Sequence, residues 1–221
     1  MRENGLFSGK CNGISFAGRA FEMKLSRKPC PEREGLKVAA VGFLQRRMPE
    51  AKGVFMTEHP FEPVFNKSSE LLILGSFPSV KSRREGFYYG NPQNRFWKVL
   101  ARVYACKEPE GVGEKTDFLI RHHIALWDVV GSCEVVGSAD ASIREASAND
   151  LSRLLNAARI GDIYTNGKTA YALYKRLQEP VIGIPAVCLP STSPANAAWS
   201  LDRLVSVWKC IASVGGTKEI E

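Results

Sequence analysis

The sequence predicts an α/β protein, a three-layer α/β/α sandwich built on a parallel four-stranded sheet. Between about residues 58 and 208, short apolar runs typical of buried strands alternate with longer segments whose apolar residues recur at helical spacing. Strands that alternate with helices favour a parallel sheet covered on both faces. The chain of 221 residues is 44% hydrophobic, which is enough for one sizeable core.

Four strands and five helices are predicted in chain order. The strands are short apolar runs at residues 71–74, 124–130, 163–165 and 186–189. The helices each have one apolar face and are predicted at residues 94–104, 114–122, 150–159, 168–177 and 197–208. Residues 131–140 are predicted to form a loop.

Residues 1–55 are predicted to be a poorly ordered basic extension of an organised domain that spans residues 56–221. They hold eleven lysines and arginines against five acidic residues, with no sustained apolar period. The acidic residues argue against a transit peptide. Met56 directly precedes the organised part, so we expect the native protein to begin there, which N-terminal sequencing of native protein tests.

The composition argues against a membrane protein and against a metalloprotein. No apolar run approaches the ~20 residues that a membrane-spanning helix needs. The six cysteines are scattered, without a C-x-x-C pair, and only three histidines are present, so no zinc or iron–sulfur site is expected. Scattered cysteines without a secretory signal indicate reduced thiols, and we therefore expect a cytoplasmic location.

A local basic patch points to a nucleic-acid ligand. The formal net charge is +7, and most of it lies in residues 1–55. Within the rest of the chain, residues 81–102 contain six lysines and arginines but one acidic residue. Aromatic residues 87–89 interrupt this patch. Cations hold phosphates and aromatic rings stack on bases, so this mixture suits a nucleic acid.

Polar, turn-forming residues follow each of the four predicted strands. These are residues 75–79, Asp128, residues 166–168 and residues 190–194. Ligands of open parallel sheets bind beyond the carboxyl ends of the strands, so four such sets at one edge predict a binding site. The alternative is that these residues only make turns.

Five motifs in order carry a resemblance to a known family. They read GSFPSVKS at 75–82, FYYGNPQNRFW at 87–97, ALWDVVGSC at 125–133, YTNGK at 164–168 and LPSTSPANAAW at 189–199. Together they resemble the uracil-DNA glycosylase superfamily, most of all its hypoxanthine-DNA glycosylase branch. The resemblance implies a parallel four-stranded sheet between helices, base excision repair of double-stranded DNA containing deaminated bases, no metal or organic cofactor, and a monomer.

The resemblance also implies the catalytic residues. Many members of the superfamily carry a water-activating Asp or Asn in the first motif, but residues 75–79 have neither. In the hypoxanthine branch this role belongs to the asparagine of the N-x-F-W piece, here Asn94. From position alone Asn94 is also a helix N-cap, and the two roles are compatible. We expect its carbonyl oxygen to position water, while backbone N–H groups of Ser76 and Phe77 bond the departing base.

Four residues are predicted to contact the flipped base. Phe77 is expected to stack on it, with a core aromatic as the alternative. Asn166 is expected to pair with the base edge, with an Asn-Gly turn as the alternative. Tyr89 completes the base-binding set. Asp128, the one well-placed acid, is predicted to recognise the base or to be structural.

The remaining site residues are predicted to bind DNA. Ser191, Thr192 and Ser193 resemble the family's second motif and are expected to hold phosphates, with Pro194, Ala195 and Asn196 on the minor-groove side. The other predicted contacts are Ser79, Lys81, Ser82, Arg83, Lys168 and Pro190. One departure stands out, because Asn91 occupies the place where the family usually has a histidine before Pro92.

We therefore predict a monofunctional DNA glycosylase that acts on deoxyinosine, with uracil as a second substrate. Two alternatives remain open at the level of sequence. One is a mismatch-specific uracil or thymine glycosylase, which shares the P-x-N-R-F-W and N-G-K pieces. The other is a nucleic-acid-binding module with the same fold and no catalysis.

Overall fold

A computed structural model of the chain describes residues 56–135 and 143–213. The predictions made for residues 1–55, including the basic extension, lie outside the described residues. So does the second half of the loop predicted at 131–140.

The core of the fold is a four-stranded parallel sheet, as predicted. Its strands are β2 (Leu71–Gly75), β3 (Ile124–Asp128), β6 (Asp162–Asn166) and β7 (Ala186–Leu189), in the spatial order β3-β2-β6-β7. Every residue of β2 and β3 is buried, which explains why these strands read as continuous apolar runs. The α/β prediction and the parallel sheet are confirmed.

Seven helices and one 3-10 helix flank this sheet in the described part of the chain. They are α1 (Val80–Glu85), α2 (Phe96–Val103), α3 (Gly111–Arg121), α4 (Ser152–Leu155), α5 (Lys168–Leu177), α6 (Glu179–Ile182), α7 (Leu201–Trp208) and the 3-10 helix Lys209–Ser213. Helices α2 and α7 pack together through Phe96 and Trp208, whose rings meet edge to face at 5.9 Å. Both side chains are fully buried.

A second, antiparallel sheet was missed by sequence analysis. It consists of β1 (Met56–Glu58), β4 (Val130–Val135) and β5 (Ile143–Ala148), in the order β1-β4-β5. Only Val129 separates the end of β3 from the start of β4. The apolar run at residues 124–130, predicted as one strand, therefore contains the whole of β3 and the first residue of a strand in the other sheet. The Asn149 amide fixes this change of direction by donating to the carbonyls of Asp128 (2.9 Å) and Val130 (3.1 Å).

The small sheet matters for the site because it positions His59. Glu58, the last residue of β1, pairs with Ser132, and the next residue, His59, donates its backbone N–H to the Gly131 carbonyl at 2.7 Å. The histidine is thereby brought beside the end of β3.

Four predicted helices have different bounds, and helices α1 and α6 and the 3-10 helix were not predicted. Helix α1 was missed because it is only six residues long; the Ser79 hydroxyl caps it by accepting from Ser82 N. The helix predicted at 150–159 is reduced to the four residues of α4 because the chain turns at once toward β6. Helix α7 begins at Leu201, where the Ser200 hydroxyl accepts from Arg203 N at 3.3 Å. Helix α2 begins at Phe96.

Two expectations drawn from the composition concern membrane-spanning helices and metal sites. None of their helices combines the length and apolar character that crossing a bilayer requires. Among residues 56–135 and 143–213, no three His, Cys, Asp or Glu side chains are grouped so that they could hold a metal ion.

Candidate active site

A cavity of about 930 Å³ opens at the carboxyl ends of the parallel strands. All four strands contribute to its lining, through Ser76 after β2, Asp128 at the end of β3, Asn166 at the end of β6 and Pro190 after β7. Its size falls in the range of small-molecule sites. Asn94 lines the same cavity, so the fold brings the predicted motifs to one place.

One end of the cavity, which we call the amide end, consists of Asn94, Thr192 and Asn166. The Asn166 side chain binds Thr192 twice: its Nδ2 donates to Thr192 Oγ1 and its Oδ1 accepts from Thr192 N, both at 2.9 Å. The Thr192 hydroxyl then donates to Asn94 Oδ1 at 2.9 Å. The residues after β6 and β7 are thus tied to the start of α2.

The amide end fixes the orientation of the Asn94 carboxamide. Its Oδ1 also accepts from Phe96 N at 3.0 Å, which ties it to the start of α2, although the N-cap residue of that helix is Arg95 and not Asn94 as expected. A carbonyl oxygen has two lone pairs, and both are engaged. This corrects the expectation that the carbonyl oxygen of Asn94 positions water, because only its amide Nδ2 is left to donate into the cavity.

The guanidinium of Arg95 holds the loop that follows β7. It donates to the backbone carbonyls of Ser193 (2.7 Å), Asn196 (3.1 Å), Thr192 (3.3 Å) and Trp199. The sequence placed Arg95 in a phosphate-binding patch. Its donors are instead engaged within the protein, so it orders residues 192–199.

The other end of the cavity, which we call the carboxylate end, consists of Asp128 and His59. His59 Nε2 lies 2.8 Å from Asp128 Oδ2, and the two side chains are only 3% and 6% exposed. The backbone of Phe61 holds the other side of the ring, because His59 Nδ1 lies 2.9 Å from the Phe61 carbonyl oxygen and 3.2 Å from Phe61 N. A carboxylate only accepts hydrogen bonds, so Nε2 carries the proton of this contact.

Gly75 allows the carboxylate to approach the backbone of β2. A Cβ atom at this position would lie 2.1 Å from Asp128 Oδ1 and 3.0 Å from the Tyr89 hydroxyl oxygen. Real Cβ atoms do not tolerate such distances, so glycine is required by close approach.

Aromatic rings surround the carboxylate end. Phe77 contacts His59 edge to face at 5.9 Å and is 8% exposed, while Tyr89 stacks on Phe96 at 3.9 Å with a backbone φ of 52°. Burial, and then the charge of Asp128, raise the pKa of Tyr88, whose hydroxyl donates to the Glu62 carbonyl at 2.9 Å. Tyr88 is therefore neutral at ordinary pH.

The predicted DNA-binding residues fall into two groups. Thr192 and Ser82 are buried at 0% and 4% exposure, so they support the cavity wall, which corrects the expectation that they touch DNA. Asn166, which was predicted to contact the base, lines the cavity and binds Thr192, and its contact with the base stays a prediction. The others reach the cavity or the surface: Ser79, Lys81, Arg83, Lys168, Pro190, Ser191, Ser193, Pro194, Ala195 and Asn196.

Sequence reasoning missed His59 and misread Arg95. His59 lies 69 positions from Asp128 along the chain, in a segment without periodicity, and no local signal marks it. Arg95 is adjacent to Asn94, but the four carbonyls that it binds lie about a hundred positions away.

Comparison with known proteins agrees with this geometry. Residues 62–214 match the family model of the uracil DNA glycosylase superfamily. A "Hypoxanthine DNA glycosylase" of Methanosarcina acetivorans is 34% identical over 158 residues, covering 71% of this chain and 98% of that protein. Another, from Methanosarcina barkeri, is 31% identical over 69% of this chain and 96% of its own length.

A solved structure has a similar fold. It is a solution NMR structure of a Methanosarcina acetivorans protein described as a candidate uracil DNA glycosylase. It superposes with a TM-score of 0.60 at 30% identity and covers 71% of this chain and 99% of its own.

Proposed function

We propose that this chain, which belongs to the uracil DNA glycosylase superfamily, excises hypoxanthine from double-stranded DNA, with uracil as a second substrate. It is a DNA glycosylase, and its two named relatives are hypoxanthine enzymes that align over nearly their whole length. The base would leave the duplex, enter the cavity, and be cut from its deoxyribose by water.

The observation that carries this proposal is the orientation of Asn94 in the cavity. Phe96 N–H and the Thr192 hydroxyl both donate to the side-chain oxygen of Asn94, so the carboxamide can neither rotate nor flip, and its Nδ2 keeps one orientation. A donor held in this way can bind the oxygen of a water molecule and keep it aligned with the sugar carbon. Alignment of this kind lowers a barrier without proton abstraction by the aligning group.

The chemistry requires little basicity from the protein. As the bond to the base breaks, positive charge develops on the sugar and negative charge on the purine. The water attacks a carbon that is already electron-poor, so positioning suffices. The C–O bond forms as the C–N bond breaks, and the proton of the attacking water then passes through solvent to the departing purine anion. Backbone N–H groups at Ser76 and Phe77 are proposed to stabilise the departing base, since preorganised donors act where charge develops.

DNA binding is assigned to the rim of the cavity. Lys81 and Lys168 carry exposed ammonium groups on two sides of it, and Ser191 and Ser193 lie on the loop that Arg95 holds. Pro194 and Ala195 are exposed at the tip of that loop. We propose that the lysines and serines hold phosphates and that the tip enters the minor groove.

A strand-nicking assay tests the proposal. Duplexes containing deoxyinosine, uracil or a G/T mismatch are incubated with the full chain and then treated with alkali, which cuts at abasic sites. Nicking of the inosine duplex is expected. Nicking confined to uracil or G/T pairs would indicate a mismatch enzyme, and tight binding without nicking would indicate a module without catalysis.

A further inference from the structure

The backbone N–H groups of Ser76 and Phe77, to which the proposed function assigns the departing base, are oriented by contacts outside the cavity. Both residues line the cavity, and no group among residues 56–135 and 143–213 accepts a hydrogen bond from either N–H. The inference drawn from these contacts rests on the proposed function, because it concerns the departure of the same base.

The carbonyl groups of Gly75 and Ser76 both point toward the residues that follow β3. Gly75 O accepts from Val129 N at 2.9 Å, and Ser76 O accepts from Val130 N at 3.1 Å. Successive carbonyls of a regular strand bond to opposite sides, so the chain leaves the extended conformation at this point.

The planarity of the peptide unit then fixes the direction of the two N–H groups. In a trans peptide, the C=O of one residue and the N–H of the next point in opposite directions. Because the carbonyls of Gly75 and Ser76 both face Val129 and Val130, the N–H groups of Ser76 and Phe77 both face away from them. Two successive N–H groups that point the same way form a concave site for negative charge, which suits a base that departs as an anion.

Asn149 orients the donors of Val129 and Val130 by the same rule. Its side-chain Nδ2 donates to Asp128 O at 2.9 Å, and its backbone N–H donates to Val129 O at 2.9 Å. The first contact therefore fixes Val129 N–H, and the second fixes Val130 N–H. The Nδ2 also donates to Val130 O at 3.1 Å, so one residue binds three successive carbonyls.

Asn149 is itself held in place and lies outside the described lining of the cavity. The Nε2 of the buried Gln178, at the C-cap of α5, donates to the Asn149 carbonyl at 2.6 Å. Gly131 lets the asparagine side chain lie against the backbone, because a Cβ there would come within 2.8 Å of Asn149 Oδ1. Asn149 can therefore act on a base in the cavity only through the peptide groups that it orients.

We propose that Asn149 is a positioning residue for the departure of the base. Its side chain acts through Val129 on the N–H of Ser76. Its backbone acts through Val130 on the N–H of Phe77. Substitution of the side chain breaks the first of these two paths and leaves the second, so one of the two donors loses its alignment.

Single-turnover excision from two duplexes tests this role. One contains deoxyinosine, and the other contains 8-aza-deoxyinosine, in which a ring nitrogen replaces one C–H, so that a base of the same size departs more readily as an anion. For Asn149→Leu, which has a similar size and no donor, we expect inosine excision to fall about 10²-fold, as when a preorganised donor is lost. Excision of the aza base, which needs less stabilisation, should fall only about tenfold. Intrinsic differences between the two bases cancel in the change of their ratio.

Gly131→Ala disturbs the same path without removing a polar group. The new Cβ would lie 2.8 Å from Asn149 Oδ1, so the asparagine side chain must shift. We expect about a tenfold loss of inosine excision, again with a smaller loss for the aza base. Fluorescence anisotropy with an undamaged duplex should show unchanged DNA affinity for both variants, because neither residue belongs to the described cavity lining.

Asn66→Leu is the matched control. Asn66 Oδ1 accepts from Ser68 N at 3.0 Å in the turn before β2, at the end of that strand opposite to the cavity. This substitution also removes a hydrogen-bonded asparagine, so it should lower the free energy of unfolding. Both excision rates should stay as in the unaltered protein.

Each result decides the matter. Thermal unfolding establishes that each variant is folded, and Gly131→Ala provides the test if Asn149→Leu does not fold. A larger loss for inosine than for the aza base supports the positioning role, whereas equal losses or no loss in the folded variant overturn it. Failure of the unaltered protein to excise hypoxanthine overturns the proposed function itself, and this inference with it.

Discussion

The amide end and the carboxylate end of the cavity differ in charge and in the groups that hold their side chains in place. At the amide end, neutral side chains bind one another, and the geometry of Asn94 is fixed without adding charge. At the carboxylate end, one negative charge is buried against a histidine and rings. A carboxylate exposed on this face would repel phosphates, whereas that of Asp128 is buried beside His59.

The comparison shows that a buried charged side chain and the proposed DNA-binding residues can lie at the same edge of the parallel sheet. The neutral end includes Thr192, on the loop that is expected to touch the DNA backbone, and at the charged end both Asp128 and His59 are buried. Four substitutions break or sharpen this contrast, from the largest expected effect to the smallest.

Asn94→Ala removes the one amide donor that the proposed mechanism places on the water. We expect the excision rate to fall about 10³-fold with DNA affinity nearly unchanged, since loss of a positioning group costs on the order of 10²-fold or more. Loss of the bonds from Phe96 N–H and the Thr192 hydroxyl should also lower the free energy of unfolding by about 1 kcal/mol. Single-turnover nicking, DNA binding and urea unfolding measure the three quantities.

The exposed Asn156 supplies the control for this substitution. Asn156→Ala removes an asparagine away from the cavity and should leave excision unchanged. Near-normal turnover by Asn94→Ala would remove Asn94 from the mechanism.

Gly75→Ala disturbs the carboxylate end without changing any charge. The new Cβ would meet Asp128 Oδ1 at 2.1 Å, so the carboxylate must move. We expect about a 10²-fold loss of inosine excision, because a displacement of about 1 Å costs that much in a preorganised site. Nicking kinetics measure the loss.

Gly113→Ala is the matched control, because nothing lies within 4 Å of the added methyl group. It sits in helix α3 and should raise the free energy of unfolding by up to about 1 kcal/mol without affecting excision. Equal excision by the two alanine variants would show that the position of Asp128 is not critical.

Thr192→Val removes the hydroxyl that links Asn166 to Asn94. The Asn94 oxygen keeps its bond from Phe96 N–H, so the carboxamide is loosened but not released. We expect about a tenfold lower excision rate and about 1–3 kcal/mol less stability, because buried polar groups lose a partner. Thr192→Ser keeps the hydroxyl and should retain most of both; a serine variant as impaired as the valine variant would contradict the proposed link.

Arg95→Lys replaces a planar guanidinium that binds four carbonyls with a single ammonium group. The loop at residues 192–199 should become less ordered, and we expect DNA affinity to weaken several-fold, about 1 kcal/mol, with a smaller change in the rate from bound DNA. Fluorescence anisotropy with an uncut duplex measures the affinity. The control is Arg102→Lys at the exposed ion pair with Asp202, where no change is expected; an equal weakening in both variants would indicate a general charge effect.

Much of the fold could be predicted because its signals are local. Strand β7 and helix α5 match their predicted bounds, since an apolar run or a helical period is written in adjacent residues. The small sheet could not be predicted in the same way. Its strand β1 has three residues and pairs with a strand more than seventy positions away, and such pairing depends on tertiary context.

The sequence by itself determined the four strands of the parallel sheet and five of the helices in chain order, the edge of the sheet where the site lies, and the family, because motif residues follow the strand ends directly. Only the tertiary structure decided what those residues do. It paired the Asn94 oxygen with the Thr192 hydroxyl, engaged Arg95 and Asn166 within the protein, and joined His59 to Asp128. The reason is that a hydrogen bond depends on distances of about 3 Å between atoms, and chain positions far apart acquire those distances only on folding.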